Sequence, residues 1–291
     1  MKSRTRTNTI GLLFALPWLI GFLVFVLYPI CASLFYSFTE YHITDTPKFV
    51  GFSNYIKMFQ DNIFLKSITN TLFYTIFLVP VGLIVGIGLA ILLVQPFKEV
   101  ATYRALTYFP SIVPGYAFAV ISLFFFHPYL GFVNNLLAQF GIEGPLWLND
   151  PNWVKPTIIL LSQWGAGGTA LIMMAALKDI PKELYEAASI DGASRWKQFW
   201  KITLPLITPS ILFYLITATF GALQIFDLPM LMTKGGPNNA SLTYSMYLYK
   251  QAFSYMNMGY ASAMAWIMFL IAIVFTLIYF GTSKKWVNYF G

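Results

Sequence analysis

Six stretches of almost unbroken apolar residues, at about 10–36, 68–94, 105–126, 157–177, 207–231 and 260–281, alternate with polar segments along this sequence. Each is long enough to cross roughly 30 Å of hydrocarbon as a helix, which takes about 20 residues. Inside lipid an unpaired backbone N–H or C=O finds no water, so each stretch predicts an α-helix. The fold class is therefore all-α, a polytopic membrane protein with six transmembrane helices. The polar segments carry turn chemistry: Thr46-Pro47, Gly141-Ile142-Glu143-Gly144-Pro145, Asn149-Asp150-Pro151-Asn152 and Gly235-Gly236-Pro237-Asn238-Asn239. None of them is long enough for an independent domain, and 1–291 reads as a single transmembrane domain. Lys2 to Arg6 followed by apolar residues resembles the start of a signal peptide, yet the apolar run continues to about Phe38 without an Ala-x-Ala site, which predicts a retained first span.

Composition agrees with lipid as the main solvent: 58% of the 291 residues are hydrophobic, 10% are charged, and the mean hydropathy is +0.66. The net charge of +7 would suit nucleic acid only if it were gathered on one polar domain, and here it is spread between apolar blocks. Topology accounts for it better. Lys2, Arg4, Arg6, Lys98, Arg104, Lys178, Lys182, Arg195, Lys197, Lys201, Lys284 and Lys285 fall on one face of the predicted bilayer. Only Lys48, Lys57, Lys66, Lys155, Lys234 and Lys250 of the 18 basic residues fall on the other. By the positive-inside rule both termini are cytoplasmic. The lone Cys31 can form neither an intramolecular disulfide nor a cysteine metal site. Trp147, Trp153, Tyr247, Tyr249 and Tyr255 stand at span ends and read as headgroup anchors, and His42 and His127 read as loop residues.

The segment 178–206 between the fourth and fifth spans is the most polar part of the chain. Pro181 suits a first helical position, and Leu184, Ala187 and Ala188 follow at helical spacing. Asp191-Gly192 supplies a stop, because glycine takes φ > 0 without a steric penalty, and Ser194 can cap a second short helix. There Trp196, Phe199 and Trp200 recur at i, i+3, i+4 opposite Arg195, Lys197 and Lys201, a pattern suited to a membrane surface. Leu204-Pro205 is expected to redirect the chain into the next span. Two bent amphipathic helices with small alanines facing outward read as a docking surface.

Glu186-Ala187-Ala188, Asp191-Gly192-Ala193, Phe199, Ile202, Leu204-Pro205 and Pro209 match in order and spacing the EAA motif, so this loop resembles that of binding-protein-dependent ABC importers. Leu27-Tyr28-Pro29, Phe49-Val50-Gly51-Phe52-Ser53-Asn54-Tyr55, Ile180-Pro181-Lys182-Glu183-Leu184-Tyr185, Thr233-Lys234-Gly235-Gly236-Pro237 and Gly259-Tyr260-Ala261 extend the resemblance over nearly the whole chain. They are similar to the sugar permeases of the maltose and glycerol-phosphate type, in particular the "F-type" half. The chain departs from the enteric maltose subunit in lacking its extra N-terminal helices and large periplasmic insert, and is expected to be a minimal six-span member.

The resemblance implies a non-enzymatic permease subunit of an importer for a sugar or oligosaccharide in the bacterial inner membrane. Its implied partners are a second related permease, two ATP-binding-cassette ATPase subunits, an extracytoplasmic sugar-binding protein and the bilayer, with no nucleic acid, metal or cofactor. Glu186, Ala187, Ala188, Asp191, Gly192 and Ala193 would couple to the ATPase. No Gly-x-x-x-x-Gly-Lys-Ser/Thr phosphate loop occurs in the sequence, in keeping with ATP hydrolysis on a partner. Polar and aromatic residues inside spans are the candidates for the sugar path. They are Gln163, Trp164, Gly165 and Thr169 in the fourth span, and Gly221, Gln224 and Asp227 at i, i+3, i+6 in the fifth. The glycines can equally serve close helix packing, and Asp227 can equally belong to the outer interface. An intramembrane enzyme would need a His-Glu-x-x-His or Gly-x-Ser-x-Gly signature, and neither is present. An ion-coupled carrier would need several intramembrane charges, where only Asp227 qualifies. Glycerol phosphate or another non-sugar cargo remains the alternative within the importer class.

Overall fold

The structure, a computed structural model, describes residues 14–288. The basic cluster Lys2, Arg4 and Arg6 and positions 10–13 of the predicted first span lie outside the described residues. The fold is mostly helical, and four helices are each long and apolar enough to cross a bilayer: Phe14–Ser37, Asn62–Val94, Thr208–Thr233 and Met258–Ser283. Two further pairs, Val100–Ile112 with Gly115–Phe125 and Val154–Gly165 with Gly167–Lys178, bend by 95° and 54°, and the number of crossings rises to six if each pair is one span.

The predicted third and fourth spans are thus each broken by a bend, and both bends have local causes. In the third, Pro114 pushes Val113 out of the helical region to ψ 127, and Pro114 itself sits at ψ 131, so the chain leaves the 3-10 turn Phe109–Ile112 and restarts at Gly115. In the fourth, helix Val154–Ser162 tightens into the 3-10 turn Gln163–Gly165 before Gly167–Lys178 begins. That turn is held against the third span. A Cβ on Gly167 would meet the backbone carbonyl of Thr107, so only glycine permits this approach.

The chain divides into two units. In the first, which comprises residues up to Asp61 and Leu248–Phe269, helix Phe14–Ser37 runs into an antiparallel pair, Thr39–Glu40 with Lys48–Phe49, and then helix Ser53–Gln60. Asn54 Nδ2 donates to the carbonyls of Ser37 and Thr39, both at 2.9 Å, and fixes that turn. Within the same unit Tyr260 Oη donates to Asp61 Oδ2 at 3.0 Å.

The second unit, Asn62–Tyr247 with Leu270–Gly291, contains two apolar clusters. Tyr74, Val154, Ile158 and Met232 belong to one; Ile87, Met173, Ile207 and Tyr214 belong to the other. Lipid tails are as apolar as leucine, so contact between helices here depends on close packing at small residues. Gly82 and Gly86 of the Asn62–Val94 helix supply it. A Cβ at Gly82 would overlap Tyr214 Oη, and one at Gly86 would overlap the Thr169 methyl group.

Candidate functional site

Both candidate regions lie in the second unit. At 178–206 the chain forms helix Lys182–Ile190, a bend, and helix Arg195–Gln198. Pro181 stands one position earlier than expected, before the helix rather than in its first turn, because its ψ of 132 is extended. Gly192 has φ +74. Around it the Ala193 N–H donates to Ala188 O at 2.9 Å and the Gly192 N–H to Ser189 O at 3.1 Å, the paired bonds of a Schellman stop. Ser194 Oγ then accepts the Lys197 N–H at 3.4 Å and caps the second helix. Gln198 Nε2 donates back to Ser189 Oγ at 3.0 Å and to Ala193 O at 3.1 Å, and Tyr185 Oη meets Thr203 Oγ1 at 2.9 Å. Side chains from both helices thus brace the bend. On its outer side Glu186, Ala187, Asp191 and Gly192 are exposed, while Ala188 and Ala193 are half-buried.

At Leu204-Pro205 the backbone stays helical. The helix continues through a π-helical turn, Phe199–Thr203, in which the Leu204 N–H reaches Phe199 O, and then through Leu204–Leu206. The wider turn accommodates a proline that cannot donate. The helix is interrupted at Ile207, with ψ 2, two residues past Pro205.

Within the spans a cavity of about 210 Å³ lies between the Asn62–Val94 helix, the Gln163–Gly165 turn and helix Thr208–Leu223. Gln163, Gly165, Thr169 and Gly221 all line it, and no lining side chain is charged. Gln163 Nε2 is tied to Ile159 O at 3.0 Å, which leaves Oε1 without a hydrogen-bond partner among the described residues. A Cβ on Gly165 or Gly221 would meet nothing within 4 Å, so close packing does not account for either glycine. Their missing side chains leave space.

Trp164, Gln224 and Asp227 are not in this wall. Trp164, 51% exposed, stacks on Phe118 with ring centroids 5.5 Å apart. Gln224 ends helix Thr208–Leu223 at ψ 13, Phe226 leaves the helical region at φ −138, and Asp227 starts a new helix, Asp227–Thr233. The expected shared face of Gly221, Gln224 and Asp227 is therefore corrected. Steps of three residues also drift by about 60° each around a helix that turns about 100° per residue. The face that lines the cavity is instead Tyr214, Ala218, Gly221, Ala222 and Ile225, spaced i, i+4, i+7, i+8, i+11.

Tyr214 is the residue that inspection of the sequence misses. Its hydroxyl donates to Val79 O at 3.2 Å and lies over Gly82. The signal was available, because Tyr214 stands two turns before Gly221 on the same stripe.

The sequence profile of the family described as "Binding-protein-dependent transport system inner membrane component" matches residues 64–286. The chain is 42% identical over 294 aligned residues, covering 99% of it and 95% of its relative, to the probable ABC transporter permease protein YesP of Bacillus subtilis. It is 39% identical to the sulfoquinovosyl glycerol transport system permease protein SmoG of Agrobacterium fabrum, over 87% of this chain and 83% of that one. Among solved structures it is similar to a chain of a bacterial alginate ABC transporter in complex with an alginate pentasaccharide-bound periplasmic protein. That match has a TM-score of 0.86 and 25% identity, over 98% of this chain and 97% of that one. From a profile match over most of its length and from relatives aligned along nearly all of it, the chain belongs to the family of binding-protein-dependent transport system inner membrane components.

Proposed function

We propose that this chain is a permease subunit of an ABC importer for a sugar or oligosaccharide, and that it forms half of the translocation pathway. The observation that carries the sugar reading is the cavity at Gln163, Thr169 and Tyr214, which offers an amide oxygen and hydroxyls but no charge. Sugar hydroxyls need directional neutral partners, whereas a phosphorylated cargo would call for a cation in the wall. The cargo names carried by SmoG and the alginate transporter are both carbohydrates, which supports a sugar cargo without bearing on its charge. Trp164, Gln224 and Asp227, beyond that wall, belong in this reading to the pathway surface that a second permease covers. Gln163→Ala and Tyr214→Phe each remove one hydrogen-bonding group. The loss of such a partner costs about 1–3 kcal/mol, so roughly 5- to 100-fold weaker sugar uptake is expected with assembly unchanged. Unaltered uptake kinetics in both variants would retire the cavity as the sugar path.

The chain then functions as one permease domain with six crossings, both termini cytoplasmic, and the loop 178–206 on the cytoplasmic side. Its partners are a related second permease, two ATPase subunits docked at Glu186, Ala187, Ala188, Asp191, Gly192 and Ala193, and an extracytoplasmic binding protein. Reporter fusions after Lys98, near Gly192 and at the C-terminus are expected to be active only in the cytoplasm, and fusions after Asn54 or Asn238 only outside. An external signal at Gly192 would remove the loop from any contact with a cytoplasmic ATPase.

A further inference from the structure

A second cavity, of about 520 Å³, lies beneath the bent loop and serves neither role above. Its floor is apolar and comes from the last turns of two spans: Ile91 and Val94 of the Asn62–Val94 helix, and Leu177 of the Gly167–Lys178 helix. Its rim is cationic. Lys178, Lys182 and Arg195 line it from three different helices, and among the described residues none of the three has a carboxylate within ion-pair distance. Asp179 and Glu183, their neighbours in sequence, are not in the wall. Three cations border this cavity and no acid lines it, so its charge favours an anionic over a cationic occupant.

We propose that this cavity binds an anionic phospholipid, with its phosphate at Lys178, Lys182 and Arg195 and the start of its acyl chains against Ile91, Val94 and Leu177. The division between a cationic rim and an apolar floor falls where the spans end, which is where a headgroup meets hydrocarbon. The aromatic residues agree with that depth. Phe199 lines the cavity and packs on Trp196 and Trp200, with ring centroids 6.2 and 5.3 Å away, and both tryptophans are exposed. Exposed tryptophans beside cations mark the headgroup level. A bound lipid would tie the ends of two spans to both helices of the loop and make the setting of the loop depend on lipid charge. The inference rests on the bilayer placement of the family and not on docking of the ATPase.

The test titrates dioctanoyl phosphatidylglycerol into the detergent-solubilised importer complex, with occupancy read by native mass spectrometry. A Lys/Arg near a membrane surface contributes about fivefold in affinity for an anionic lipid, so Lys178→Gln/Lys182→Gln/Arg195→Gln is expected to raise the half-saturating concentration about 100-fold. Ile91→Trp fills the floor, keeps every cation and is expected to weaken binding as well. Dioctanoyl phosphatidylcholine and glycerol 3-phosphate are expected to compete poorly. Equal phosphatidylglycerol occupancy in wild type and the triple variant would overturn the proposal. So would competition by glycerol 3-phosphate at concentrations similar to the lipid, which would make the ligand a soluble phosphate. Loss of the ATPase from the triple variant with lipid occupancy unchanged would assign the cations to a protein partner, and would overturn it too.

Discussion

Gly192→Val is expected to abolish transport and release the ATPase from the complex, while Gly192→Asn retains much of both. At φ +74 a β-branched residue is strained by about 1–3 kcal/mol, whereas asparagine visits the left-handed region readily. The strain falls on the Schellman stop, whose two bonds from Gly192 and Ala193 set the angle between the helices. A valine that escapes it must open those bonds and turn the Ser194-capped helix away. Ala188→Trp tests the surface rather than the bend. Ala188 is half-buried beside exposed Ala187, and an indole there adds bulk where a docked partner would need close approach. Co-purification of the ATPase with each variant, alongside membrane insertion, decides the matter. Normal ATPase binding and normal uptake in both Gly192→Val and Ala188→Trp would remove this loop from coupling.

The second large effect is expected at Gly167, which no pathway role requires. Gly167→Val places a Cβ against the Thr107 carbonyl and within 3.1 Å of Tyr108 Cα, and these backbone atoms belong to the end of helix Val100–Tyr108, which cannot yield like a side chain. Overpacking of this kind costs about 1–3 kcal/mol, and more where backbone must shift, so reduced accumulation and a lower thermal midpoint are expected. Gly168→Ala, one residue on, is the control: a Cβ there meets nothing within 4 Å. Equal thermal stability of the two variants in detergent would show that the third and fourth spans do not meet through Gly167.

What was legible in the sequence came from local chemistry. Long apolar runs dictate helices because lipid offers the backbone no other partner, so four long helices and two bent pairs sit where the hydrophobicity predicted them. The bend at Gly192 and the cap at Ser194 were legible for the same reason, since φ > 0 and an N-cap are demands on single residues. The facing of the spans was not. Contrast between apolar and polar positions shows which side of a helix is inward, and a span that is apolar all round carries almost none. Choosing Gly221, Gln224 and Asp227 as a stripe relied on the few polar residues available, and missed both the helix end at Gln224 and Tyr214. Only packing decided that Tyr214 would lie over Gly82 and bond Val79, because the missing side chain of Gly82 leaves room for its hydroxyl. Tertiary contact likewise determined where the 3-10 turn of the fourth span came to rest. Its glycines permitted many conformations, and the approach of Gly167 to Thr107 selected one.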